Sequence, residues 1–378
     1  MKEIRMVDLN GQHQKIHTLI NNSIEGVINS TAFINGPEVK NFQKSLENYL
    51  NAKHVIPCGN GTDALQISLM SLCLRPGDEI ITSDFTFIAT SEVIAFLGLK
   101  PVFVDVEPGS FNISPDSIKK SLSPKTKVIV PVHLFGQCAN MDEILNIAKE
   151  NNLFVIEDTA QALGAEYSFS DGTKARAGTM GDIGTVSFFP SKNLGAYGDG
   201  GAIITNNDDL ATKIRSIGNH GMEKRYYHNR IGVNSRLDSI QAAILNVKLK
   251  YLDEYNQSRQ KAAAFYDKAF RNLDGITIPH RTNSSTHIFH QYTLTTEPEL
   301  RDPLNAWLAQ KGIPSMIYYP VPLHQQKVFS NYGYNNKKFQ VTGSLSRRVI
   351  SLPMHTELDK EQLDYIVSHI ITFLNNHK

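Results

Sequence analysis

The 378 residues hold 38 Lys+Arg against 37 Asp+Glu, with 41% hydrophobic and 20% charged side chains. So even a charge balance argues against a general role on nucleic acid or an anionic membrane surface, which needs a basic excess. The composition suits a well-packed globular protein, and the length suits two domains better than one core. The longest apolar stretches fall far short of a membrane span, and Met1-Lys-Glu-Ile-Arg-Met-Val7 lacks the apolar core of a secretory signal. Cys58, Cys73 and Cys138 have no metal-ligand spacing, so reduced cytoplasmic thiols are expected, and no zinc or iron–sulfur site can be built from them alone.

Residues 12–50 read as largely helical, broken at Asn35-Gly36-Pro37. Phe33–Pro37 is either a mobile entrance segment or a plain helix-breaking turn. From His54 strands and helices alternate. His54–Cys58 is a short strand, Gly59–Thr62 a turn, and Asp63–Leu74 an apolar-striped helix. The pattern continues with strands at Glu79–Thr82, Pro101–Asp105, Lys127–Val132, Leu153–Glu157 and Ala202–Thr205, and helices at Thr90–Leu97 and Met141–Asn151. Such βα alternation predicts an α/β fold with a mainly parallel sheet and helices on both faces. Ile240, Ile244, Val247 and Leu252 then space out one long helix from Leu237 to about Phe270. It should carry the chain, near residue 251, into a smaller α+β domain. The expected division is 1–250 and 251–378, with second-domain strands at Ile276, Tyr292–Leu294 and Ile317–Tyr319 and helices at Leu304–Lys311 and Lys360–Asn376.

Three stretches carry chemistry. Gly59-Asn-Gly61-Thr62-Asp-Ala64 lies between a strand and a helix, where backbone N–H groups and the helix dipole favour an anion. It also matches G-x-G-x-x-A, so a phosphate cradle, a dinucleotide site and a structural turn all remain open. Glu157-Asp158 ends an apolar strand, and side-chain alternation sends the two carboxylates to opposite faces. One of them should face the crevice at the strands' carboxyl ends, although Asp158 is also a competent helix cap. The run Thr185–Gly201 sets a short buried strand, Val186–Phe189, before Pro190 and a lone Lys192 in a glycine-dense loop. A lysine there can meet a ligand closely or stay an ordinary solvated residue. Lysine, acid and phosphate turn together are what a pyridine-type cofactor needs: an amine for a Schiff base, a carboxylate for the ring nitrogen, and an anion cradle.

Gly59–Leu65, Glu157-Asp-Thr-Ala-Gln-Ala162, Ser187-Phe-Phe-Pro-Ser-Lys-Asn-Leu194, Gly198-Asp-Gly-Gly201, Gly232–Ala243 and Ser351-Leu-Pro-Met354 occur in one order. Through them nearly the whole chain resembles the sugar aminotransferases of the DegT/DnrJ/EryC1/StrS family. The resemblance implies the fold-type I architecture of enzymes using pyridoxal 5'-phosphate (PLP), working as homodimers with sites at the subunit interface. By it, Lys192 bonds the cofactor's aldehyde and then shuttles the proton. Asp158 pairs with the ring nitrogen, and Gln161 lies by the ring and its hydroxyl. Phe87 matches the aromatic that stacks on the ring, though its own surroundings in sequence equally suit plain core. Gly61, Thr62 and Ser187 would hold the phosphate, with Asn234 reaching it from the partner subunit. Dehydratase members carry histidine where Lys192 stands, and some need an iron–sulfur cluster, so transamination is implied here.

His220–Arg230 gathers Lys224, Arg225, His228 and Arg230, a cluster that suits a diphosphate or carboxylate or is a solvated charged loop. Tyr318-Tyr319-Pro-Val-Pro-Leu-His324 is either a packed rigid loop or a wall against sugar and nucleotide. On these stretches the candidate substrate residues are Arg230, Tyr318, Tyr319 and His324. Both look most like family members that aminate C3 of UDP-2-acetamido-2-deoxy-3-oxo-glucuronate, with L-glutamate as amino donor and pyridoxamine 5'-phosphate (PMP) formed between half-reactions. Relatives with similar motifs act on 3-keto or 4-keto 6-deoxy sugars carried on dTDP. Such aminosugars usually feed surface polysaccharide or lipopolysaccharide O-antigen assembly.

Overall fold

The short apolar runs form strands covered on both faces, as their lack of polar alternation requires. The computed structural model describes residues 2–334 and 339–377. Its strands, in chain order, begin with β1 (His54–Cys58), β2 (Glu79–Ser83), β3 (Lys100–Val104), β4 (Thr126–Val130) and β5 (Phe154–Asp158). A small hairpin, β6 (Glu166–Ser168) with β7 (Lys174–Arg176), precedes β8 (Ile183–Ser187) and β9 (Gly201–Thr205). A second hairpin, β10 (Met222–Lys224) with β11 (Tyr227–His228), leads to β12 (Ile276–Thr277), β13 (Tyr292–Thr296) and β14 (Val349–Leu352).

Seven of these make the main sheet, in the order β1-β9-β8-β5-β4-β2-β3. Neighbours from β8 to β3 are parallel, whereas β9 runs antiparallel to both β1 and β8. Six strands therefore end at the same edge, where β9 begins. Helices Gly61–Ser71, Ala89–Phe96 and Asp208–Ile217 cover one face, with Leu65, Ile94 and Ile214 in its core. Helices Pro115–Ser121 and Met141–Asn151 cover the other, through Ile118 and Ile144. The first helices, Leu9–Ser30 and Pro37–Leu50, part at the expected break; Gly36 precedes Pro37 at the helix start, and its N–H donates to Ser239 Oγ at 3.2 Å.

Three expectations change. The buried strand expected at Val186–Phe189 is β8, Ile183–Ser187; Phe188 and Phe189 follow it, and Phe189 is exposed. The single helix over 237–270 is two helices, Ser239–Leu249 and Leu252–Phe270, parted at Lys250 and Tyr251. Lys248, one residue from the end of the first helix, points inward. Its side chain is buried, and Nζ donates to Gly195 O at 2.5 Å, which fixes the first helix against the loop after Lys192. Nor is Ile317–Tyr319 a strand. The chain makes a single antiparallel bridge, Met316 to Ser351, and then enters a loop whose Pro320 and Pro322 lack the N–H a ladder needs. The strand beside β13 is instead β14. The three-stranded sheet β12-β13-β14 and the helices Leu252–Phe270, Pro298–Gln310 and Lys360–Asn376 enclose a core of their own, with Tyr266, Tyr292, Leu304, Ile350 and Ile366 inside and Ile4 packed on from the amino terminus. Among the described residues no helix is long and apolar enough to cross a membrane.

Candidate active site

The glycine turn, Asp158 and Lys192 come from the ends of β1, β5 and β8, and those strands end at one edge of the sheet. A cavity of about 460 Å³ opens there, and all three contribute to its wall. The ends of β2 and β4 add Thr86, Phe87, Val132 and Phe135, because parallel strands deliver their carboxyl ends together.

Gly61 begins the helix Gly61–Ser71, whose N-cap Asn60 accepts from Asp63 N at 2.8 Å. Such a cap is worth about 1 kcal/mol and leaves the first N–H groups facing the cavity. Only glycine fits at 61, since a Cβ would lie 2.7 Å from Ser187 Cβ. Gly201, at the start of β9, is confined as tightly, with a Cβ 2.4 Å from Asn60 O. The turn is backed by Ser235, whose Oγ accepts from Gly59 N at 2.9 Å and donates to Asp63 Oδ2 at 2.6 Å. A dinucleotide site fits poorly here. Its glycine turn belongs beside a central strand at a switch in strand order, whereas β1 is an edge strand paired only with antiparallel β9.

Glu157 and Asp158 take opposite faces. Glu157 is fully buried and accepts four hydrogen bonds, from His133 Nε2 (2.8 Å), Gly178 N (2.9 Å), Met180 N (2.6 Å) and Gly181 N (2.7 Å). Asp158 lines the cavity, with Oδ2 accepting from Thr90 Oγ1 at 2.7 Å and Oδ1 from Ala160 N at 3.1 Å. Each oxygen keeps a lone pair for a further donor.

Lys192 is half-buried in the loop after β8, its N–H donating to Phe189 O at 2.8 Å. Burial pulls its pKa down to about 8, with Asp158 pulling the other way. Its neighbour Asn193 ties the loop to the helix Leu252–Phe270 through Asn256 Oδ1 at 2.7 Å. No other lysine or arginine is among the described residues lining this cavity.

Phe87 and Ser187 also line it, as do Thr62, Gln161, Tyr318 and Tyr319. Phe87 is 56% exposed, so it is not core. Three predicted residues lie outside this cavity. Arg230 is beside the β10–β11 hairpin, paired with Glu223 at 2.8 Å. His324 is paired with Asp84, and Asn234 is exposed on the segment behind the glycine turn. The structure adds Thr86, Thr90, Asp199, His290 and Gln291 to the wall. Thr90 was within reach of the strand-end rule, at the head of a helix following β2. His290 and Gln291 gave no signal, because they lie far along the chain just before β13.

The residues present fit PLP: a glycine-tight helix start for a phosphate, a carboxylate with spare lone pairs, and a lysine of lowered pKa in one cavity. Over residues 14–371 the chain matches the DegT/DnrJ/EryC1/StrS aminotransferase family. The chain belongs to this family. A Geobacillus stearothermophilus member named as a pleiotropic regulatory protein is 45% identical over 98% of both chains. UDP-2-acetamido-2-deoxy-3-oxo-D-glucuronate aminotransferase of Pseudomonas aeruginosa is 42% identical, over 96% of this chain and 98% of its own. The crystal structure of NtdA from Bacillus subtilis with bound cofactor PMP superposes with a TM-score of 0.89 at 31% identity, covering 96% of this chain and 82% of that one. As a member of the DegT/DnrJ/EryC1/StrS family, the protein is a PLP-dependent sugar aminotransferase of α/β, fold-type I architecture.

Proposed function

We propose that the enzyme transfers the amino group of L-glutamate to C3 of UDP-2-acetamido-2-deoxy-3-oxo-glucuronate, giving an aminosugar for surface polysaccharide. The observation that carries transamination is Lys192 and Asp158 in one cavity with the glycine turn. Full-length similarity to the Pseudomonas aeruginosa enzyme supports the sugar. A nicotinamide oxidoreductase would leave Lys192 without a task.

PLP, when bound, supplies an electrophilic aldehyde and an electron-accepting ring. The N–H groups at Gly61 and Thr62, with the Ser187 hydroxyl, hold its phosphate at the helix start. Asp158, anchored by Thr90 and Ala160, would accept a hydrogen bond from the ring nitrogen and keep that nitrogen protonated. Phe87 covers one ring face, and Gln161 lies by the ring hydroxyl. Lys192 would hold the aldehyde through its Nζ, with loss of water. Freed when glutamate takes its place, Nζ would take the proton from Cα and return it two bonds away, at the former aldehyde carbon; a pKa near 8 suits one amine to both tasks. Lys192 repeats the transfer in reverse on the ketosugar.

The homodimer is part of the proposal. Asn234 is exposed and outside its own chain's cavity, consistent with reaching the phosphate in the partner subunit. Leu19, Ile28, Phe33 and Ile34 on the amino-terminal arm, and Tyr226, Tyr227 and Ile231 around the β10–β11 hairpin, are exposed apolar groups suited to that contact. Arg230 with Lys224, Arg225 and His228 would then meet the nucleotide sugar across the interface. Tyr318 and Tyr319 would contact it from within the chain. His324 enters through its loop, as argued below. The division into domains 1–250 and 251–378 is supported by the helix break at Lys250–Tyr251 and by the separate second core. Free thiols at Cys58, Cys73 and Cys138 suit a cytoplasmic enzyme.

The test is the second half-reaction with one ketosugar at a time. The PMP form should regain PLP absorbance with the UDP-linked 3-oxo-uronate, and the product should gain nitrogen by mass. Response to dTDP-linked 6-deoxy ketosugars and not to the uronate would overturn the assignment.

A further inference from the structure

The side-chain amide of Gln161 is held at two points. Oε1 accepts from Phe135 N at 2.7 Å. A backbone N–H can only donate, so the amide oxygen must face it. Nε2 therefore faces Tyr319 and donates to its hydroxyl at 3.2 Å. One N–H of the amide is used there, and the other is left for the cavity that Gln161 lines. Burial pushes the Tyr319 pKa up, so the phenol stays neutral and its oxygen keeps accepting.

Tyr319 arrives on a distant segment, docked by one loop after β2. The Phe85 ring meets the Tyr319 ring edge-on at 5.9 Å. Asp84 O accepts from Leu323 N at 3.0 Å, and Asp84 Oδ1 accepts from His324 N at 2.8 Å. Asp84 Oδ2 and His324 Nδ1 pair at 2.5 Å. Asp84 is fully buried, and leaving it unpaired would be costly. The same loop supplies Thr86 and Phe87 to the cavity.

We propose that Tyr319 and His324 are positioning residues: the His324–Asp84 pair docks the segment, and the Tyr319 hydroxyl, together with Phe135 N, then holds Gln161 so that its amide offers a donor, not its oxygen, to the cofactor's ring hydroxyl. This rests on the place given above to Gln161. It assigns His324 to the support of the site and not to the sugar.

The experiment titrates the full-length apoprotein with PMP and with its 3-deoxy analogue, which lacks the ring hydroxyl. Wild type should prefer PMP. Tyr319→Phe keeps the ring against Phe85 and should cut that preference roughly 3- to 10-fold, the worth of one oriented hydrogen bond. His324→Ala should also cut it, and Tyr319→Phe should leave affinity for the analogue unchanged. A preference within twofold of wild type in Tyr319→Phe, or equal weakening of both ligands, overturns the proposal. If His324→Ala does not fold, Tyr319→Phe alone decides. If wild type binds PMP without preferring it, the placement of Gln161 fails, and this inference with it. If it binds neither ligand, the cofactor assignment itself fails.

Discussion

Glu157 and Asp158 are adjacent, yet Glu157→Gln should damage the fold while Asp158→Asn damages the chemistry. Four donors converge on Glu157 in a dry interior, two on each oxygen. The His133 ring cannot adapt, because its Nδ1 accepts from Ala139 N at 3.1 Å and so its proton sits on Nε2. Glutamine replaces one acceptor oxygen with an NH2 group. Two donors would then face a donor whichever way the amide turned. Each hydrogen bond to a charged acceptor is worth about 1.5–3 kcal/mol, so losing two should cost about 3–6 kcal/mol. In urea that should move the first unfolding transition down by roughly 1 M. The assay is unfolding of the holoenzyme followed by far-ultraviolet circular dichroism, with PLP absorbance checked before urea is added. A midpoint within about 0.2 M of wild type would refute the assignment of Glu157 as the internal anchor.

Asp158→Asn should retain PLP and lose about 100-fold or more in kcat, the usual cost of removing a group aimed at developing charge; steady-state kinetics with near-normal rates would contradict it. Gly61→Ala places a Cβ 2.7 Å from Ser187 Cβ, so PLP affinity should fall at least about tenfold, with an overpacking penalty of about 1–3 kcal/mol; spectral titration and thermal melting measure the two. In the apoprotein, amine-directed labelling of Lys192 should be half-maximal near pH 8, since burial favours the neutral amine. The unfolded chain keeps that proton up to the ordinary lysine range, near pH 10.5. Between those values it binds more protons than the folded chain, so this lysine's contribution makes stability rise with pH there, and the gain is lost as pH falls through 8.

Much of this site could be read before the fold was known because strand-end chemistry is local. Alternation separated Glu157 from Asp158, and turn glycines marked the helix start. What escaped were features set by tertiary contact. Ile317-Tyr-Tyr has the composition of a strand, yet Tyr318 and Tyr319 become cavity wall, with Phe85 against Tyr319 and Asp84 holding the segment that follows. The helix over 237–270 keeps its apolar period across Lys250–Tyr251, and nothing local marks the break. Antiparallel β9 reads like its parallel neighbours, since a strand buried on both faces carries no sign of direction. His290 and Gln291 reach the cavity from the far side of the chain, which no local pattern could announce.

The most direct test is chemical trapping. Purified holoenzyme should be yellow, and borohydride should fix a phosphopyridoxyl group that peptide mass mapping places on Lys192 alone. An adduct on another lysine, or none at all after incubation with PLP, would contradict the account.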